Sequence, residues 1–265
     1  MPQVSGFRKA GSLAWRMAAK GKRLLLPSRD YVVYRGSVLP HPDLRLNGAE
    51  QQDNEFFLAS SIKEATRVVT KLGCAQGDFL VDIGCGQGRL PIGLVRELNS
   101  VRYLGLDVSE ECITWCKTHI ERQHPSYKFQ HVDVVNARYN PSGNALTRDF
   151  RLPVPDGAAD IVYIWGVVTN MEPDHLAPYA NEVSRMLRHG GKAFLTAYVE
   201  DNVPQVSINP ENYTAFACKG PLHVVRYERQ HFLDVFQRAG LRLSDLAYHA
   251  GEIGENCQSD LYFVK

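Results

Sequence analysis

The sequence predicts an α/β fold, a doubly wound and mostly parallel sheet of seven strands whose last strand runs antiparallel. Three observations predict it. Short apolar runs alternate with segments of helical period from about residue 79 to the end of the chain. A turn dense in glycine (Gly84, Gly86, Gly88) joins the first apolar run to the first of these helices, and Asp107 closes the second run. In such sheets ligands bind outside the carboxyl ends of the strands, where both features fall.

At 265 residues the chain is long enough to bury the core of one α/β domain with some elaboration. Thirty Lys and Arg against 29 Asp and Glu leave a net charge of +1, so no global electrostatic footprint for nucleic acid exists. The six cysteines form no CxxC pair, which points to a reducing, cytoplasmic setting. No apolar run approaches the ~20 residues of a membrane helix. Residues 1–29 carry seven Lys and Arg and no acid. They read as a solvated basic arm suited to weak contact with an anionic surface, with an organellar address as the alternative.

Taken in order, residues 1–52 read as that arm plus an irregular lead-in, and residues 53–265 as the main domain. The latter opens with a cap helix over 53–73, where Leu58, Ile62, Ala65, Val69 and Leu72 keep a helical period up to Gly73. Phe79–Ile83 reads as a buried strand and Arg89–Leu98 as a helix. Tyr103–Leu106 is a strand, and Glu110–Ile120 a helix capped by Ser109 that buries Cys112 and Cys116 with Ile113 and Ile120. Tyr127–Val132 and Ala159–Trp165 are the third and fourth strands. A helix over about 175–188 ends at Gly190-Gly191, before the fifth strand, Lys192–Val199. A last helix spans about 228–239, and Leu241–Tyr248 and Leu261–Val264 read as an antiparallel hairpin.

The glycine spacing restricts the ligand. A nicotinamide dinucleotide fingerprint needs G-x-G-x-x-G, whereas Gly84 and Gly86 are followed by Gly88 one position early, with Arg89 where the third glycine would stand. No G-x-x-x-x-G-K-[ST] occurs. Asp82, just ahead of the loop, would repel a pyrophosphate and attract an ammonium.

The segment "VDIGCGQG" resembles motif I of the class I methyltransferases that use S-adenosylmethionine (SAM), and "YLGLDVS" resembles their second motif. "HVDV" is similar to their adenine-binding segment, "LPVPDGAADIVYIWGVV" to the approach to strand four, and "EVSRMLRHGGKAFLT" to the helix, turn and strand five. This resemblance implies a Rossmann-like fold, SAM as cofactor and S-adenosylhomocysteine as product. Carried over residue by residue, it implies that Gly84, Cys85, Gly86, Gly88 and Arg89 form the loop around the cofactor and that Asp82 anchors its polar end. Asp107 would accept from the ribose hydroxyls, and Asp133 from the adenine amine with Val108 and Val134 on the ring faces. Trp165 would stand as an aromatic wall near the sulfonium. "NARYNPSG" followed by "GVVTNMEPD" resembles a bacterial subgroup acting on small molecules, with a YNP-G turn and a T-H-M segment, in which Asn170 replaces the His.

Methyl transfer is an in-line displacement that rests mainly on alignment, a source of ~7–11 kcal/mol in oriented reactions. The N-methylating tetrad [DN]-P-P-[YF] is missing after strand four, where Trp165-Gly166-Val167-Val168 stands, and no metal-ligand spacing appears. O-methylation of a sugar or other small hydroxylated metabolite is therefore the leading expectation. C- or N-methylation of a metabolite, RNA methylation, and SAM binding without catalysis are the alternatives. Among nine histidines, His223 is the candidate general base, because it lies in the long connection after strand five. Asn170, His175, Tyr198 and Tyr227 are the candidate acceptor-binding residues.

Overall fold

The computed structural model describes residues 30–46, 48–98, 100–211, 220–248 and 258–265. The basic arm, with all that is expected of it, lies outside the described residues. The chain divides between Phe57 and Leu58 into two compact units.

In the first unit, strands β1 (Tyr31–Tyr34) and β2 (Ser37–Pro40) pair antiparallel, with Tyr34 opposite Ser37. Arg35 and Gly36 make the turn, both at positive φ (47° and 78°), the handedness that suits a two-residue hairpin. This corrects the irregular lead-in expected from sequence. The signal was the alternation in "YVVYRGSVLP", and Arg-Gly is a weaker turn marker than Asn-Gly. Two 3-10 turns, Pro42–Leu44 and Ala49–Gln52, follow. The buried Arg45 binds this unit together. Its Nε donates to the Pro40 carbonyl (2.9 Å), Nη1 to the carbonyls of Gln51 (2.9 Å) and Asp53 (3.1 Å), and its guanidinium lies 4.6 Å from the Phe57 ring centroid. Helix α1 (Asn54–Thr70) starts at the expected cap, since Asp53 Oδ1 accepts from the Phe56 N–H at 2.8 Å.

The second unit carries the sheet. Its strands are β3 (Phe79–Ile83), β4 (Arg102–Asp107), β5 (Tyr127–His131), β6 (Ala159–Ile164), β7 (Leu187–Glu200), β8 (Val206–Ile208), β9 (Val225–Glu228), β10 (Arg242–Ala247) and β11 (Ser259–Val264). The main order is β10-β11-β7-β6-β3-β4-β5. Pairs from β7 to β5 are parallel, while β11 runs antiparallel between β7 and β10. The seven-stranded, mostly parallel fold with an antiparallel last strand is thus the one expected. Beyond the end of β11, β9 pairs parallel with β7 at Tyr198–Glu200 and antiparallel with β8. The chain winds outward in both directions from β3 and β6, so the crevice lies at their carboxyl ends.

Helices α2 (Arg89–Glu97), α3 (Glu110–Cys116), α4 (Leu176–Met186) and α5 (Arg229–Arg238) connect the strands. Ser109 caps α3 through its Oγ, which accepts from the Cys112 N–H at 3.3 Å. Two boundaries differ from expectation. Helix α3 stops at Cys116 and widens into a π-helical turn, Lys117–Glu121. Gly190-Gly191 does not end a helix but sits within β7. Ala159 pairs with Leu187 and Ile161 with Lys192, so three extra residues bulge there. The core packs Val81, Val162 and Leu195 with Val183 of α4 and Phe232 and Phe236 of α5.

Candidate active site

The glycine loop and the end of β4 are bonded into one piece. Gly84 and Cys85 donate their N–H groups to the Leu106 carbonyl (2.7 and 3.1 Å), and Gly86 N–H donates to Asp107 Oδ2 at 2.8 Å. Asp107 Oδ1 accepts from Ser109 N–H, also at 2.8 Å. Burial raises the Asp107 carboxyl above its usual range, and these two backbone amides pull it back toward the charged form. The thiols of Cys116 and Cys85 donate to the Gly86 carbonyl from below (3.3 and 3.7 Å). Gly84 has φ 80°, and a Cβ there would overlap the Val167 side chain. Gly86 has φ 50°, and a Cβ there would meet nothing within 4 Å. The loop therefore presents bare backbone to open space beside a carboxylate that keeps 9 % exposure.

Around the loop lies a layer of ionisable groups on one face of the sheet. Asp82 is buried and its Oδ2 accepts from the Tyr103 hydroxyl at 2.5 Å. Burial, against that hydrogen bond, pushes its carboxyl up to about 7, so Asp82 stands between neutral and charged at physiological pH. Arg89, the first residue of α2, lays its guanidinium 3.5 Å from the Trp165 ring centroid. One face of Trp165, the residue expected beside a sulfonium, thus carries the chain's own cation. Glu64 of α1 accepts from the Tyr163 hydroxyl and pairs with Arg67 (3.2 Å), which in turn pairs with Asp260 (3.2 Å). Sequence reading missed Glu64 and Arg67, because charged residues on a helix pattern read as its solvated side.

The segment after β5 is shaped by Asp133. Its Oδ1 accepts from Asn140 Nδ2 (3.0 Å) and its Oδ2 from Asn144 Nδ2 (2.7 Å), while Asn140 Nδ2 also reaches the Val134 carbonyl (3.2 Å). A Cβ on Gly143 would overlap Asn140 Nδ2 and sit 2.7 Å from the Val134 backbone. The YNP-G turn is therefore a brace that fixes Val134, and Asp133, exposed, is first of all its acceptor. Val134 is buried, whereas Val108, directly after Asp107, is half-buried with its carbonyl 3.1 Å from His131 Nε2.

Asn170 joins three loops. Its Nδ2 donates to the carbonyls of Leu222 (2.7 Å) and His223 (2.8 Å), and its own carbonyl accepts from Asn136 Nδ2 (2.8 Å). It fastens the His223 segment, and the half-buried His223 is thereby held at the carboxyl edge of the sheet. His175 precedes α4, and burial lowers its pKa, favouring the neutral imidazole. Tyr198 is buried at the end of β7, where Gln258 Nε2 donates to its hydroxyl at 3.5 Å. Gln258 also accepts from Thr196 Oγ1 (2.7 Å), and Thr196 Oγ1 accepts from Gly166 N–H (2.8 Å). Tyr227 departs from expectation. It is fully buried in the core, its ring 5.3 Å from that of Phe232, and its hydroxyl has no hydrogen-bond partner among the described residues. Adjacent strand residues point to opposite faces, so β9 turns Tyr227 toward α5 rather than into the crevice.

These residues fit an adenosyl cofactor with an amino-acid arm. Asp107 offers a carboxylate ordered by two backbone amides, Gly86 leaves room for a close approach, and Asp82 and Arg89 stand as an acid and a base for a zwitterion. No group of three His, Cys, Asp or Glu side chains suited to a metal ion occurs among the described residues. Nor is any described helix long and apolar enough to cross a membrane.

A family model described as a methyltransferase domain matches residues 80–191, the span from β3 into β7. An uncharacterized chloroplastic methyltransferase of Arabidopsis thaliana is 29% identical over 146 residues, 55% of this chain and 35% of that protein. A demethylmenaquinone methyltransferase of Lactobacillus johnsonii is 25% identical over 189 residues, 71% of this chain and 68% of the relative. The chain thus spans about a third of the first relative's length and about two thirds of the second's. Among solved structures, geranyl diphosphate C-methyltransferase of Streptomyces coelicolor superposes with a TM-score of 0.56 at 14% identity, over 94% of this chain and 97% of that one. That likeness shows the fold.

Proposed function

We propose that this protein transfers the methyl group of SAM to a hydroxyl of a small polar acceptor, releasing S-adenosylhomocysteine. The observation that supports this acceptor class is the run of neutral hydrogen-bonding groups at the carboxyl ends of β6 and β7. Gly166 N–H, Thr196, Gln258 and Tyr198 follow one another within bonding distance beside Trp165. Such groups pair with hydroxyls and offer no cationic track for a phosphate chain. The cofactor, when bound, supplies an electrophilic methyl. Gly86 and Asp107 hold its ribose end, the braced Val134 walls the adenine, and Asp82 and Arg89 meet its charged arm. His223, positioned by Asn170, takes the proton from the acceptor hydroxyl, with His175 as the alternative base. The four described free thiols, Cys74, Cys85, Cys112 and Cys116, suit a reducing, cytoplasmic setting.

The test is transfer of labelled methyl from SAM to a pool of sugars and phenols or to total RNA, each at ~50 and ~200 mM salt. Label in the hydroxylated pool, with little salt dependence, is the expected result. Label in RNA that falls by orders of magnitude at the higher salt would overturn it, because phosphate neutralisation releases counterions. Methyl found on carbon or nitrogen of a metabolite would refute the acceptor atom alone.

A further inference from the structure

We propose, resting on the SAM-binding reading, that Asn136 is a positioning residue that couples the cofactor segment after β5 to the His223 segment, so that cofactor binding tightens the acceptor side of the crevice. Residues 220–224 lie in neither strand nor helix, yet all five of their carbonyls in a row are held. The Gly220 carbonyl accepts from Asn209 Nδ2 (3.0 Å), that of Pro221 from Arg138 Nη1 (3.4 Å), those of Leu222 and His223 from the one amide of Asn170 (2.7 and 2.8 Å), and that of Val224 from the Asn209 N–H (2.8 Å). Leu222 is buried at a φ of 48°, a left-handed backbone that is costly for any residue but glycine. Such strain persists only where the surroundings over-determine the conformation, and here the surroundings are the loops that follow β5, β6 and β8.

Asn136 ties this segment to the cofactor side. Its Oδ1 accepts from the N–H groups of Arg138 and Tyr139 (3.0 and 2.9 Å), which fixes the side-chain amide and aims Nδ2 at the Asn170 carbonyl, 2.8 Å away. In the other direction, Asn136 and Asn140 exchange both backbone bonds (3.0 and 2.9 Å), and Asn140 is the residue whose amide braces Asp133 and Val134. Direct hydrogen bonds therefore run from Asp133 to Asn140, to Asn136, to Asn170 and on to the His223 carbonyl. A second tie lies beside them, from the Ala137 N–H to Glu172 Oε1 (3.2 Å). Adenine seated on Val134 takes freedom from this brace, and a segment that shares the brace then gives up less on being ordered in turn. A brace with a structural role alone would hold the His223 segment equally with and without cofactor.

The experiment follows amide hydrogen exchange over residues 220–228, with and without saturating S-adenosylhomocysteine, in wild type, Asn136→Asp and Asn136→Ser. Aspartate keeps the acceptor for the Arg138 and Tyr139 N–H groups and sets an oxygen against the Asn170 carbonyl, while serine keeps an acceptor for the turn and is too short to reach Asn170. In wild type, S-adenosylhomocysteine should slow exchange in this segment about tenfold or more. In both variants that slowing is lost, although calorimetry gives an affinity for S-adenosylhomocysteine within a few-fold of wild type. Wild-type exchange that ignores the cofactor overturns the proposal. So does a variant that exchanges faster in both states yet keeps the wild-type slowing, which is what a structural brace alone gives. Loss of cofactor binding in both variants also overturns it, because Asn136 would then serve the cofactor seat itself. Absence of S-adenosylhomocysteine binding by wild type would instead refute the methyltransferase reading, and the coupling with it.

Discussion

Gly86 donates its backbone N–H to Asp107 Oδ2 at 2.8 Å, so the glycine loop after β3 and the acidic end of β4 hold each other's geometry. The carboxylate that the cofactor's ribose would meet is the same one that positions the loop.

Asp107→Ala and Asp107→Asn should accordingly lose more than a ligand contact. Each charge-assisted hydrogen bond removed is worth ~1.5–3 kcal/mol, so affinity for S-adenosylhomocysteine should fall at least tenfold by calorimetry. Thermal stability should fall too, because alanine leaves the N–H groups of both Gly86 and Ser109 without their acceptor and asparagine sets an NH2 against one of them. Unchanged affinity in a folded variant would remove Asp107 from the site.

The two glycines should respond differently to alanine. At Gly84 the new methyl overlaps Val167, so Gly84→Ala should chiefly destabilise, by ~1–3 kcal/mol as overpacking does. At Gly86 it meets no protein atom within 4 Å, leaving a left-handed backbone strain of ~1–2 kcal/mol. Gly86→Ala should therefore lose cofactor affinity out of proportion to its loss of stability. Denaturant titration and ligand calorimetry on both variants check this.

Asp82 gives stability a pH dependence of definite sign. Its carboxyl is pushed up to about 7 in the fold, above the ordinary value of 3.8, chiefly by burial. Between these values the folded state holds the proton that the unfolded state has lost, so this group's contribution falls as pH rises from ~4 to ~7 and is level outside that window. The swing is on the order of 4 kcal/mol. Asp82→Asn keeps an acceptor for Tyr103 and should remove the slope, being more stable than wild type at pH 8 in urea unfolding. A variant with the wild-type slope would show that another group causes it.

Asn170→Asp replaces a donor with an acceptor facing two carbonyls at 2.7 and 2.8 Å. The segment Leu222–Tyr227 should then exchange its amide hydrogens faster, with stability lower by ~1–3 kcal/mol, while affinity for S-adenosylhomocysteine stays within a few-fold. Exchange confined to its wild-type rate would show that Asn170 does not fasten that segment.

The sequence by itself determined the layered fold, the antiparallel last strand, the glycine loop and Asp107, because each is written in local order. Strand runs show as apolar blocks, helices as a 3.6-residue period, and the loop as glycines at a fixed distance before an acid. Caps such as Asp53 and Ser109 were legible for the same reason. The first-unit hairpin was overlooked because its alternation flanks an Arg-Gly pair, and the bulge in β7 because two glycines look alike in a turn and in a bulge.

Only the tertiary structure decided which partner each polar group takes. Asp133 was read as an adenine contact, and in the fold its two oxygens also accept from Asn140 and Asn144, seven and eleven residues further along the same segment. Tyr227 was assigned to the acceptor pocket, and strand pairing with β7 and β8 fixes it toward the core instead. Glu64 and Arg67 lie on a helix whose charges look solvated, yet they meet Tyr163 and Asp260, 99 and 193 residues away in sequence. Trp165 and Arg89 stack only because the end of β6 and the start of α2 lie beside each other. Hydrogen bonds and cation–π contacts act over a few ångströms with strict direction, so residue type and spacing name the groups able to make them, and the folded chain alone says with whom they are made.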